Sequence, residues 1–181
     1  MSVQIGARPD SGFDDPVGML KDCHRRIEHF LSILCLVAGR AAGRALNPEE
    51  QSAIKAALQY FHTGGERHNA DEEQSIFPRL RSAAAESTDP EFHALLDRLE
   101  RDHSRAAWLH EAIDWLYTDW IAKGEIEPGN RDRLLSSTNA LRELYNEHIA
   151  LEETAIFPRA AELLDAQTIA AIGREFSTRR R

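Results

Sequence analysis

A twelve-residue pattern carries most of the chemical information in this chain, and it occurs twice. The first copy of H-x3-E-E-x2-I-F-P-R starts at His68 and ends at Arg79; the second starts at His148 and ends at Arg159, 80 residues further on. In each copy a histidine stands four residues before a glutamate, His68 before Glu72 and His148 before Glu152. Residues four apart on an α-helix lie about 40° apart around the axis and one turn apart along it, so each imidazole and carboxylate point the same way. Two such helices facing each other would bring two nitrogen and two anionic oxygen donors to one point inside a bundle. That is the chemistry of a metal site.

Two further histidines lie on matching faces. His24 shares a stripe with Leu20, Ile27 and Leu31, and His103 shares one with Leu96, Leu99 and Ala106. A lone histidine on an apolar face is more often a hydrogen-bonded core residue, but four of them, one on each helix, form a set. His29, His62 and His93 fall off these faces and read as surface or partly buried. His110 is on the His103 face but about 10.5 Å along the axis, where it could line an access path.

Four imidazoles and two carboxylates are too many donors for one tetrahedral zinc, and they lack the thiolates of a structural zinc site. They are too rich in nitrogen for calcium or magnesium. A pair of iron ions bridged by Glu72 and Glu152 satisfies both donor types. The sequence leaves open which repeat histidine joins His24 and which joins His103.

The elements that must position these groups are helices. Sparse Gly and Pro, 29% charged residues and abundant Ala, Leu, Glu and Arg favour an all-α protein. One helix is expected from about Asp15 to Arg40, fraying at Gly39 and Gly43. A second opens at Asn47-Pro48, a cap followed by proline at the first helical position. It carries Gly64-Gly65, a point of close approach or local distortion, and should end or kink at Pro78. The third is capped by Asp89-Pro90 and runs to Lys123-Gly124, and the fourth runs from about Gly129 to Pro158. Short connections imply an up-down-up-down antiparallel four-helix bundle. The expected division is a flexible N-terminus over 1–14, a 15–164 domain and a 165–181 tail with room for a short fifth helix. Trp108, Trp115 and Trp120 read as core packing, and Arg179-Arg180-Arg181 as a solvated terminus.

The remaining composition limits function. A net charge of −8 without a basic stripe gives nucleic-acid binding no electrostatic support. No apolar run reaches the roughly 18–20 residues of a membrane span, and the first residues lack the apolar core of a signal peptide, so a cytoplasmic protein is expected. Cys23 and Cys35, about 18 Å apart along one helix, should be free thiols.

On His24, His103 and the two copies of H-x3-E-E-x2-I-F-P, residues 15–158 resemble the hemerythrin family, in its bacterial branch of HHE cation-binding domains. The resemblance implies a non-haem di-iron site that binds, senses or reacts with a small diatomic or peroxide ligand: dioxygen, peroxide or nitric oxide. A redox enzyme that disposes of peroxide or other reactive oxygen and nitrogen species at the same site is the alternative. No protein partner is readable.

The chain departs from the family pattern at three points. Oxygen carriers have a fifth histidine four residues after the third-helix ligand, and that position here is Ala107; Glu28, Tyr60, Tyr145 or His110 would have to replace it. Carriers also place the fourth-helix carboxylate five residues after the histidine, at Glu153, whereas the repeat and helical spacing select Glu152. The chain is also longer than the minimal domain. With a ligand missing, reversible oxygen carriage is less expected than iron binding.

Overall fold

Helix starts fall where the caps place them in the computed structural model of the chain, which describes residues 10–85 and 90–181. Helix α1 (Pro16–Arg40) begins with the Asp15 carboxylate accepting from the Gly18 N–H at 2.9 Å. Helix α2 (Pro48–Tyr60) begins with a reciprocal box in which Asn47 accepts from the Glu50 N–H and Glu50 accepts from the Asn47 N–H. The expected Asp89 cap lies outside the described residues. The two glycines with left-handed backbone, Gly43 (φ 87°) and Gly124 (φ 77°), follow α1 and the long helix α5 (Pro90–Lys123).

At Pro78 the second helical rod changes its winding without ending. It continues through α3 (Glu66–Asp71) and α4 (Phe77–Ala85), joined by π turns at Phe61–Gly65 and Glu72–Ile76. The fourth rod repeats the device: α6 (Pro128–Leu151), a π turn at Glu152–Ile156, then α7 (Phe157–Leu163). In each copy the phenylalanine N–H reaches back five residues to the glutamate carbonyl. The wider turn moves the carbonyl four residues back out of the way of the proline ring, which would otherwise break the helix.

Every regular element among the described residues is helical, and none of these helices is long and apolar enough to cross a membrane. Helix α6 packs against both α1 and α5, and α1 packs against α2. The tail is a full helix, α8 (Ala166–Arg179), which buries Ile172, Gly173 and Phe176.

Two apolar cores result. One gathers Ile27, Leu31, Leu34, Ile54, Ile113, Tyr117, Trp120 and Leu134; the other gathers Leu20, Ile76, Phe77, Leu96, Leu99, Phe157 and Phe176. Only Trp120 of the three tryptophans belongs to them. Trp108 and Trp115 are 67% and 55% exposed, because one residue of helical rotation separates them from the buried Leu109 and Leu116. Both cysteines are free, Cys23 buried and Cys35 half-buried.

Candidate metal centre

Along every rod the switch from one core to the other occurs at the histidines. His24 lies between Leu20 and Ile27, and His103 between Leu99 and Ala106, and these flanking residues belong to opposite cores. The result is a polar layer of His24, His68, Glu72, His103, His148 and Glu152, none more than 5% exposed. The turn from each repeat histidine to its glutamate is still α-helical, since the Glu72 N–H reaches the His68 carbonyl and the Glu152 N–H reaches that of His148. The π turn opens immediately afterwards, so the ligand spacing is kept and the chain beyond is re-registered.

Each carboxylate turns one oxygen to each side of the layer. Glu72 Oε1 lies 3.4 Å from His68 Nε2, and Oε2 lies 3.2 Å from His103 Nε2. Glu152 Oε2 lies 3.0 Å from His24 Nε2, and Oε1 lies 3.3 Å from His148 Nε2. Two groups of converging donor atoms follow, His24-His68-Glu72-Glu152 and Glu72-His103-His148-Glu152, with both glutamates common to the two. His68 therefore joins His24, and His148 joins His103.

These contacts are close without being aligned as hydrogen bonds. All four oxygens of Glu72 and Glu152, and His24 Nε2, lack a hydrogen-bond partner although they are buried. Buried polar atoms left this way are costly unless something else satisfies them, and a cation between the donors would do so. Taken as protein groups alone, the layer is electrostatically divided. Burial pushes Glu72 up, with the Glu152 charge adding to it, to about 7. Burial would lower His24, but the adjacent Glu152 carboxylate, then Glu72 and Glu153, lift it to about 9. His103 is likewise lowered by burial and lifted, by Glu72, Glu73 and Glu152, to about 10. His68, wholly buried and beside His24, is pushed well below its ordinary value. The carboxylates thus favour protons on His24 and His103 but not on His68, so the dry layer favours positive charge beside Glu72 and Glu152.

The role of the second glutamate of each doublet was not anticipated: the sequence offered Glu153 only as an alternative to Glu152 and did not single out Glu73. Glu73 Oε1 accepts from His103 Nδ1 at 2.7 Å, and Glu153 Oε1 accepts from His24 Nδ1 at 2.9 Å. Each repeat thus offers one carboxylate to the layer and a second to the outer nitrogen of a histidine on a neighbouring helix. A carboxylate on Nδ1 fixes the ring so that Nε2 faces inward, as it does at histidine metal ligands. The signal was available, since both copies keep the doublet. Phe157 stacks on His24 and Phe77 on His103, with ring centroids 5.5 and 6.2 Å apart, which explains the phenylalanine of the repeat.

Of the candidates to replace a fifth histidine, Glu28 is exposed on α1, and the Tyr60 hydroxyl donates to the Cys23 carbonyl at 3.3 Å. Tyr145 and His110 pair with each other, Oη to Nε2, at 3.0 Å. Both line a cavity of about 210 Å³ with Phe61, Gly65, Ala106 and Ala107. Gly65, Ala107 and Tyr145 each stand three or four residues from His68, His103 or His148, so the cavity lies about one helical turn from the polar layer. His29 and His62 are exposed and His93 half-buried, away from the layer.

A buried layer of histidines and glutamates, crossed by π turns, defines a helical protein built to bind cations. Residues 15–160 match the hemerythrin HHE cation binding domain, and the chain belongs to that family. It is also similar to an uncharacterised protein of Haemophilus influenzae, 26% identical over 168 residues that cover 93% of this chain and 91% of the relative.

Proposed function

We propose that the chain is a non-haem di-iron protein, an up-down-up-down bundle acting in the cytoplasm, that binds, senses or reacts with dioxygen, peroxide or nitric oxide. The observation that carries this reading is the orientation of Glu72 and Glu152, each with one oxygen toward His24 or His68 and the other toward His103 or His148. Glu72 and Glu152, set this way, would be shared by two cations, one held with His24 and His68 and the other with His103 and His148. The donor set of four imidazoles and two carboxylates, without thiolate, suits iron. Iron supplies electrons and open coordination positions for a small ligand when bound.

The chain's own residues do the rest. Glu73 and Glu153 orient His103 and His24, and Phe77 and Phe157 keep water from the rings. Four protein donors at each position leave room for an exogenous ligand, and Ala107 leaves the cavity side unfilled. The Tyr145–His110 pair offers a hydroxyl and an imidazole to whatever occupies that cavity. This pair also favours the second reading, an enzyme that disposes of peroxide, because peroxide turnover needs a proton at the departing oxygen. Metal analysis of freshly purified protein, with the visible spectrum before and after air, tests the first reading. Iron with an air-sensitive spectrum is expected, and one zinc without iron would sink it. Sustained peroxide consumption with the iron intact would select the enzyme.

A further inference from the structure

The C-terminal helix attaches itself to the first repeat one residue away from Glu72. Asp71 is wholly buried, and its carboxylate accepts from Arg179 Nη1 at 2.8 Å and from Arg180 Nη2. Ser75, also wholly buried, accepts from Arg179 Nη2 at 2.6 Å and donates to Glu175 Oε2 at 2.6 Å. Arg79 closes the network, giving Nη2 to Glu175 Oε1 at 2.6 Å and Nη1 to the Ser75 carbonyl at 2.8 Å. The arginine tail is therefore not a solvated terminus. Arg179 and Arg180 grip Asp71, just before the π turn that bears Glu72, and Arg179 also grips Ser75 within it.

The second copy is built otherwise. Where the first has Asp71 and Ser75, the second has Leu151 and Ala155, and Leu151 packs against the apolar core of Leu20, Phe77 and Phe157. Two turns that present equivalent glutamates are thus held by different means, one by apolar contact and one by a charged clasp from α8. A π turn has fewer and poorer hydrogen bonds than the α-helix it interrupts, so its shape depends on what packs around it.

We propose that Arg179 and Arg180 are positioning residues for Glu72, acting through Asp71, so that retention of metal in the layer depends on the C-terminal helix being docked. The proposal rests on the metal-binding reading above. Loss of both arginines leaves a buried carboxylate with its counter-charges gone, a situation proteins relieve by moving or hydrating the group. A backbone shift that brings the Asp71 carboxylate to water would carry the adjacent Glu72 away from His68 and His103, the two histidines it faces.

The test uses the full-length, iron-loaded chain and two readouts. The first is the rate at which excess chelator removes iron, with the visible spectrum recorded alongside. R179A/R180A should release iron roughly 10-fold faster or more, with a shifted spectrum. D71L/S75A/R179A/R180A, which writes the second copy's residues into the first, should recover most of the wild-type retention. Leu134→Ala, in the other apolar core, controls for general loss of stability and should not speed release at a matched fall in melting temperature. The second readout is amide hydrogen exchange, which should rise in R179A/R180A across Glu72–Phe77 but not across Glu152–Phe157. Release no faster than in the Leu134→Ala control, or a quadruple variant that stays fast, overturns the proposal. A wild-type chain that takes up no metal would sink the metal reading instead, and the exchange pattern would then decide the clasp by itself.

Discussion

Glu72 and Glu152 each face two histidines from inside the layer, whereas Glu73 and Glu153 each face one from outside, and this sorts the four glutamates by what their loss should do. Glu72→Ala or Glu152→Ala removes an anionic donor shared by both groups, and most bound metal should be lost. Glu153→Ala should keep full stoichiometry while weakening affinity by roughly 10–100-fold, since it only frees the His24 ring. Metal content after gel filtration, followed by chelator competition, separates the cases. Protonation gives a second prediction. His24 and His103 are raised to about 9 and about 10 by Glu152, Glu72 and their neighbours, against burial. A raised histidine stabilises the fold fully below its unfolded value near 6.5 and loses that contribution as pH rises through the folded value. Chelator-stripped protein should therefore melt lower between pH 7 and 10. Metal competes with those protons, so the extra stability given by metal should grow over the same range in parallel melting curves. Of the six inward residues, the spacing of the repeat selects His68, Glu72, His148 and Glu152, and the apolar stripes of two other helices select His24 and His103. The roles of Glu73 and Glu153 were not legible, because one residue of rotation turns them about 100° from their neighbours, and only the adjacent helix shows what they meet.

At the scale of elements, caps and apolar periodicity located the main rods, but the rod carrying Pro78 changes backbone type there where an end had been one expectation. Pro78 and Pro158 follow π turns, and a wider turn accommodates the ring that an α-helix rejects. Gly64-Gly65 marked a third such turn correctly as a distortion, yet the two glycines have different reasons. A Cβ on Gly64 would stand 2.5 Å from Tyr60 Cε2, whereas on Gly65 it would meet only Phe61 Cδ1 at 3.6 Å. Gly64→Ala should therefore destabilise by about 1–3 kcal/mol through displacement of the Tyr60 ring. Gly65→Ala, at an ordinary helical φ of −64°, should be neutral or stabilise by up to about 1 kcal/mol. Chemical denaturation of the two variants side by side checks the opposite signs. The docking of α8 was hidden for a similar reason: a charged tail looks solvated until a buried Asp71 is found beneath it.

On the scale of the whole molecule, two apolar cores are separated by a layer whose carboxylate oxygens are buried and without hydrogen-bond partners. A helical bundle without a cation would be better served by leucine there, since unpaired buried charge is expensive and hydrophobic replacement of a buried ionic cluster is often stabilising. The arrangement makes sense if the layer holds two cations that tie α1, α3, α5 and α6 together. Binding energy then becomes folding energy, and the chain should melt higher when loaded. The most direct test is anaerobic titration of chelator-stripped protein with ferrous iron, followed by the visible spectrum on admission of air. A break at two irons per chain is expected, one for each donor group, with new absorption bands appearing only after air. A break at one metal, or saturation by a single zinc that iron cannot match, would contradict it.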